Sequence, residues 1–138
     1  MNLVLCLTEQ CNLRCTYCYY KETQADRKTV MDDATLEQAI RIALDRTIFF
    51  KQQYLNITFF GGEPLLRREA IYKGVGFAKG LVSNAIDEGK IEKDFNLKFA
   101  VNTNGTLFDD EFFDFCEREK FRIYLSLDGP EHHHDIAR

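Results

Sequence analysis

Four short apolar runs, separated by three stretches of helical periodicity, constrain this chain more than any other feature. Residues 2–8, 55–60, 96–103 and 121–127 read as strands, each bounded by polar or glycine-containing turns. Between the first two lies a helix over about 32–50, capped by Asp32 or Asp33, with Leu36, Ala39, Ile40, Ala43, Leu44 and Ile48 on one side. A second helical pattern uses Ile71, Val75, Ala78, Val82 and Ile86, with Gly89 as its stop. Gly74, Gly76 and Gly80 weaken it, each by roughly 1 kcal/mol against alanine. A third helix spans about 109–119, capped by Asp109 or Asp110, with Phe112, Phe115 and Cys116 on one face. The order is βαβαβαβ, which implies an α/β fold with a parallel sheet and right-handed crossovers.

The strands carry unlike faces. In the fourth, Phe121, Ile123, Leu125 and Leu127 alternate with Arg122, Tyr124 and Ser126; in the third, Leu97, Phe99 and Val101 alternate with Lys98, Ala100 and Asn102. The apolar rows are expected against the helices and the polar rows along a lumen or cleft. The first strand is apolar on both faces, as a strand covered on both sides would be. A doubly wound sheet is usually apolar throughout, so the third and fourth strands favour barrel-like curvature. No internal repeat or linker divides the chain.

Charge narrows the partners. The 138 residues include 18 basic and 22 acidic ones, a net charge of −4, so no general basic surface suggests nucleic acid. The longest early apolar run, Leu3 to Leu7, is too short for a membrane span or a signal-peptide core. No membrane partner is expected, and a cytoplasmic location follows by default.

Five cysteines are an odd number and do not suit a secreted disulfide scaffold. Cys11, Cys15 and Cys18 fall within eight residues, and clustered cysteines in a reducing compartment read as metal ligands. One short loop can present three thiolates to an iron–sulfur cube, whose usual fourth thiolate is missing here, leaving one iron open. A zinc site completed by His132, His133 or His134 is the rival, although only one Cys-x2-Cys unit is present. Three inert buried cysteines are the bland alternative. Cys6 and Cys116 read as core residues, the three histidines as an exposed loop, and Phe112, Phe113 and Phe115 as core.

All the polar punctuation falls at one end. The cysteine loop follows the first strand, residues 61–64 the second, 102–106 the third and 126–129 the fourth. Parallel α/β sheets bind ligands outside the carboxyl ends of their strands, so these four loops are expected to build a site. Each has a plainer reading: Gly61-Gly62 as a tight turn before a helix with Pro64 in its first turn, Asn104-Gly105 and Asp128-Gly129-Pro130 as turns.

The segment from Cys11 to Tyr19, with Tyr17 just before the last cysteine, resembles the CxxxCxxC signature of the radical S-adenosylmethionine (radical SAM) superfamily. Gly61-Gly62-Glu63-Pro64 is similar to that family's GGEP motif. Thr103-Asn104-Gly105-Thr106, Ser126-Leu127-Asp128-Gly129-Pro130 and His134-Asp135 with Arg138 resemble later motifs of its SPASM-type, anaerobic sulfatase maturase-like subgroup. The likeness covers essentially the whole chain.

The resemblance implies that Cys11, Cys15 and Cys18 ligate a 4Fe–4S cluster whose open iron binds S-adenosylmethionine. It implies cofactor contacts by Tyr17 against the adenine, by Gly61 and Gly62 near the methionine moiety, and by Glu63 near the ammonium. Ser126, Asp128 and Arg138 complete the set, with the Arg138 fork on the carboxylate. A larger residue at Gly62 is expected to crowd the methionine and spare the cluster. Reductive cleavage of the cofactor would yield a 5′-deoxyadenosyl radical that abstracts hydrogen from a peptide or protein substrate, with a low-potential electron donor as partner. No catalytic side chain is assignable.

The family's core has six strand–helix units in a partial (β/α)6 barrel, and four strands are legible here. Residues 1–138 are therefore expected to be the N-terminal part of a radical SAM core with no second domain, its fourth strand an open edge. The alternative is a non-catalytic cluster-binding fragment that needs a second chain to complete the barrel.

Overall fold

The computed structural model describes residues 1–18 and 29–138. Four strands, β1 (Asn2–Thr8), β2 (Tyr54–Gly61), β3 (Asn96–Thr103) and β4 (Arg122–Leu125), form one parallel sheet in the order β1-β2-β3-β4. They alternate with α1 (Asp33–Phe49), α2 (Arg68–Asp87) and α3 (Asp110–Arg118), and a short α4 (Glu131–Ala137) follows. The sequential order never reverses. With right-handed crossovers throughout, every connecting helix lands on the same face of the sheet, as in a barrel wall.

Burial follows that geometry. Leu5, Phe59, Val101 and Ile123 are paired across the sheet in one row, and the first three are buried beneath the helices. The neighbouring row, Val4, Thr58, Ala100 and Arg122, points the other way, and Val4 is 61% exposed. The first strand is thus covered on one face only, which corrects the two-sided reading of its apolar run. Its inner face belongs to the open side of a curved sheet, where half-buried Cys6 also lies.

The helices form where their caps and spacing place them. Asp32 accepts from the Thr35 amide at 2.6 Å and caps α1, whose Leu36, Ile40, Ala43 and Leu44 are buried. Asp109 caps α3 by accepting from Phe112 N at 2.9 Å, and Arg68 fastens that cap at 2.8 Å. Pro64 opens a 3-10 turn (Pro64–Arg67) that leads into α2. Gly74, a weak point for helix propensity, lies where a Cβ would come within 3.2 Å of the Phe59 ring. Its lack of a side chain lets α2 approach β2. Phe121 stacks with Phe59 and Phe99 at centroid distances of 6.0 and 5.5 Å, joining the sheet to Phe115 of α3. Each such ring adds about 1.5–3 kcal/mol when fully buried.

Two expectations at the chain's far end need correction. The fourth strand is four residues long rather than seven, and its apolar row is not covered: Ile123 is 38%, Leu125 55% and Leu127 66% exposed. Phe121 alone of that row reaches the core. No described helix covers the exposed row of β4: α3 turns Phe112 and Phe115 to Tyr72 of α2 and reaches only Phe121, just before β4, and α4 buries none of its residues. The segment holding His132, His133 and His134 is not a loop but α4, begun by Pro130 in extended conformation. The cysteine loop, expected over Glu9–Val30, lies partly outside the described residues.

An open parallel edge bearing apolar side chains is prone to pair with another chain. We expect this chain in isolation to self-associate with rising concentration. Sedimentation velocity should show Ile123→Lys combined with Leu127→Lys to be more monomeric than the parent; equal association would place the contact elsewhere.

Candidate active site at the carboxyl ends of the strands

The site is assembled at a neck. As the chain returns from the cysteine loop, Met31 N donates to Leu7 O at 2.9 Å and Glu9 N to Thr29 O at 3.2 Å, forming an antiparallel bridge between Thr8 and Val30. Thr8 is buried and accepts from Gln10 N at 3.0 Å, turning the chain off the strand. The loop that carries Cys11, Cys15 and Cys18 is thus closed at its base by β1 itself.

The segment after β2 locks onto the same neck. Gly62 N donates to Thr8 O and Glu63 N to Gln10 O, both at 2.8 Å. A Cβ built on Gly61 would lie 2.2 Å from Thr8 O, and one on Gly62 would lie 2.2 Å from Gln10 O. Gly61 also has φ +145°, a region open mainly to glycine. The close approach that excludes side chains here is between two stretches of this chain's backbone. It fixes where the cysteine loop starts.

Glu63 is fully buried. Its Oε1 accepts from Leu65 N and Thr103 Oγ1, each at 2.9 Å, and its Oε2 from Asn104 N at 2.8 Å. One carboxylate thereby caps the 3-10 turn and ties the end of β2 to the end of β3. The residue expected beside an ammonium group thus satisfies three internal donors, as a buried charge requires.

Two polar clamps hold the loop from above. From β3, Asn104 Nδ2 donates to Asn12 Oδ1 at 2.9 Å and points at Cys11 Sγ at 3.7 Å, while Asn12 Nδ2 donates to Thr106 Oγ1 at 2.7 Å. From β4 and α4, Arg138 donates from Nε and Nη2 to the two oxygens of Asp128 at 2.7 and 3.3 Å. Its Nη1 lies 3.9 Å from Cys15 Sγ, and its guanidinium sits 5.6 Å from the Tyr17 ring centroid. The Tyr17 hydroxyl donates to Asp128 Oδ2, and Thr16 N donates to Ala137 O at 2.7 Å. Ser126 N extends the β4 pairing to Thr103 O at 2.9 Å. The structure therefore gathers Cys11 and Glu63 around Asn104, and Cys15, Tyr17 and Asp128 around Arg138, in two groups on one loop. Asn12 and Thr106 belong to the first group, although Asn104-Gly105 read as a plain turn.

The electrostatics follow the contacts. The Arg138 fork and then the Tyr17 hydroxyl hold Asp128 below the usual carboxylate range. The same hydrogen bond pushes Tyr17 up to about 12, so its proton stays in place at neutral pH. Burial pushes the Cys11 thiol up and the nearby Glu63 charge adds to this, against the Leu13 and Asn104 donors. For Asp128 the folded value is depressed. Its stabilisation of the clamp is present above the ordinary carboxylate pKa of about 3.9 and lost as pH falls through the depressed value. Amide exchange at residues 15–18 should stay protected at neutral pH and open in acid. Asp128→Asn should remove that pH dependence, and an unchanged acid opening in this variant would show that another group is responsible.

A concavity of about 830 Å³ runs along the open inner face, lined by Asn56, Thr58, Lys98, Ala100, Arg122 and Tyr124. It occupies the amino-terminal half of the sheet, and none of the cysteine-loop residues line it. Residues of the polar rows line it together with Ile57, Leu97, Phe99 and Phe121 of the apolar rows. Among the described residues, no group of three His, Cys, Asp or Glu side chains is disposed to hold a single metal ion, and His134 Nδ1 accepts from Asp128 N at 3.4 Å.

The family model of the radical SAM superfamily matches residues 5–138. The chain belongs to the radical SAM superfamily. Among its curated relatives is the cysteine-type anaerobic sulfatase-maturating enzyme of Clostridium perfringens (strain 13 / Type A). It is 30% identical over 132 residues, covering 93% of this chain and 32% of the relative. The serine-type anaerobic sulfatase-maturating enzyme of Bacteroides thetaiotaomicron is 30% identical over 141 residues, covering 93% of this chain and 29% of the relative. The solved structure of native anSMEcpe with bound AdoMet and Kp18Cys peptide superposes with a TM-score of 0.76 at 28% identity. It covers 99% of this chain and 34% of that one. The chain thus spans about a third of the length of these relatives.

Radical SAM membership ties the chain to a family whose chemistry uses a 4Fe–4S cluster and S-adenosylmethionine, and the curated relatives it matches are enzymes. The donor set fits. Three cysteines in one loop, none in a disulfide, offer the soft thiolates an iron–sulfur cluster takes. Arg138 faces one of them, Cys15, with a positive charge. No described helix is long and apolar enough to cross a membrane.

Proposed function

We propose that residues 1–138 form the N-terminal part of a radical SAM core that acts on a peptide or protein substrate. The observation that carries this reading is the anchoring of the Cys11–Cys18 loop by the ends of all four strands, through the neck at Thr8, the Glu63 carboxylate, Asn104 and Asp128. When bound, the reduced cluster and S-adenosylmethionine would supply a 5′-deoxyadenosyl radical that takes a hydrogen atom from the substrate, an external low-potential donor restoring the electron.

The chain's own residues would do the positioning. Cys11, Cys15 and Cys18 would hold three irons. Tyr17, its hydroxyl fixed by Asp128, would present its exposed ring to the adenine. Gly61 and Gly62 would let backbone close the methionine end of the site, and Ser126 would bond the cofactor from the end of β4. Glu63 would place negative charge behind these groups, and Asp128 would orient Arg138. A guanidinium has five N–H donors. Two serve Asp128 and one faces Cys15, which leaves two for the cofactor carboxylate. The polar inner face would line the space where substrate is held. A peptide substrate is supported by the maturase relatives and by the peptide named in the anSMEcpe structure.

The second reading, a cluster-binding fragment that needs another chain, is favoured by one feature: the uncovered apolar row of β4. Electron paramagnetic resonance on the anaerobically reconstituted, reduced chain separates the two. A 4Fe–4S signal that shifts on adding S-adenosylmethionine supports the first. A signal indifferent to it supports the second, and zinc bound in place of iron overturns both.

A further inference from the structure

We propose that Asn104 and Arg138 are positioning residues that donate to the sulfurs of Cys11 and Cys15 and thereby raise the reduction potential of the cluster those sulfurs hold. The inference rests on the cluster-binding reading above. It concerns how this chain sets the cluster's electron affinity.

The geometry carries it on both sides of the loop. The Asn104 amide is fully allotted: Oδ1 accepts from Thr106 N at 3.0 Å and from Thr106 Oγ1 at 2.7 Å. With the oxygen so occupied, the amide has one orientation, and its two N–H donors face Asn12 Oδ1 at 2.9 Å and Cys11 Sγ at 3.7 Å. Arg138 is fixed in the same manner. Asp128 takes Nε and Nη2, which directs Nη1 at Cys15 Sγ, 3.9 Å away. Asp128 is in turn held by the Tyr17 hydroxyl, so neither donor is a free surface group. Both are aimed by neighbouring side chains that fix their orientation.

Adding an electron to an iron–sulfur cluster increases the negative charge shared by its thiolates. A donor pointed at a ligating sulfur stabilises the reduced state more than the oxidised one, and a full positive charge does so more strongly. Removing either donor should lower the potential. A residue that merely ties the loop down would alter stability and leave the potential where it was.

The test is a mediated, anaerobic redox titration of the reconstituted full chain, followed by electron paramagnetic resonance. Asn104→Ala and Arg138→Met should each load the cluster to the parent's iron and sulfide content and titrate at more negative potential. The expected shift is at least a tenfold change in the oxidised-to-reduced ratio, about 59 mV for one electron. Asn104→Asp, which sets a carboxylate against the thiolate, should fall further than Asn104→Ala. Arg138→Lys, which keeps the charge and loses the fork, should lie between the parent and Arg138→Met.

Loaded variants at the parent's potential overturn the inference and leave the functional reading standing. Failure of a variant to load the cluster overturns the role of that residue, which is then structural. A parent chain that takes up no iron and sulfide overturns the functional reading and this inference with it.

Discussion

Replacing Cys11, Cys15 or Cys18 with alanine is expected to abolish cluster assembly, while Cys6→Ala and Cys116→Ala leave it intact. The five residues share a chemistry and differ in placement. Cys116 is 2% exposed on the core face of α3, where burial pushes its thiol up to about 11 and keeps it protonated. Half-buried Cys6 lies inside β1, below the neck, with its Sγ directed at Thr8 O at 3.9 Å. Only the loop cysteines lie beyond the neck, where Arg138 and Asn104 face two of them. Loss of one ligand from a three-thiolate site leaves two protein bonds to hold the cluster, so the expected effect is loss of nearly all bound iron. Iron and sulfide analysis with the visible absorption spectrum reads it. Equal iron in all five variants, or equal loss, would sink the assignment of Cys11, Cys15 and Cys18.

Much of this was legible in the sequence, for identifiable reasons. The strand–helix alternation, the caps Asp32 and Asp109, and the faces of β3 each follow from local pattern, and local pattern survives folding here because each crossover packs on the strands it joins. The loops at the carboxyl ends were legible by the same logic. What failed was non-local. The apolar row of β4 alternates in sequence just as that of β3 does, yet a strand's cover depends on a neighbouring helix, and no described helix packs there. Val4 shows the same thing in reverse: an apolar residue on the open face reads as core until the curvature of the sheet is known.

Side-chain partnerships were the least legible. Asn104-Gly105 is a generic turn signal, and nothing in a single sequence says that the asparagine reaches back 92 residues to Asn12. The one available hint was the resemblance of residues 103–106 to a family motif. Glu63 and Arg138 were expected to face a cofactor, and a single sequence carries no sign of their partners within the chain. Glu63 accepts three donors of its own chain, and Arg138 sets two of its five donors on Asp128. A buried or half-buried charge is satisfied from the nearest available groups, and in this chain those groups lie on the adjoining loops.

That distinction changes what Gly62 should do when enlarged. Crowding of the methionine with the cluster spared was the sequence-based expectation. The structure sets the nearest obstacle elsewhere: a Cβ would lie 2.2 Å from Gln10 O and 2.7 Å from Glu9 O, both backbone atoms that cannot swing away. Gly62→Ala is therefore expected to break the Gly62 N–Thr8 O and Glu63 N–Gln10 O bonds and to move the start of the cysteine loop. Opening this neck also exposes the Glu63 carboxylate to imperfect pairing, and leaving a buried charged acceptor short of a partner costs about 3 kcal/mol. For a domain of this size that corresponds to a fall in Tm of about 10 °C. Gly80→Ala, where nothing lies within 4 Å of the new Cβ, is the matched control and should gain up to about 1 kcal/mol of helix propensity. Thermal unfolding of the metal-free chain and iron content after reconstitution should both drop for Gly62→Ala and hold for Gly80→Ala. If Gly62→Ala keeps its iron and loses only S-adenosylmethionine binding, the glycine faces the cofactor and the neck does not depend on it.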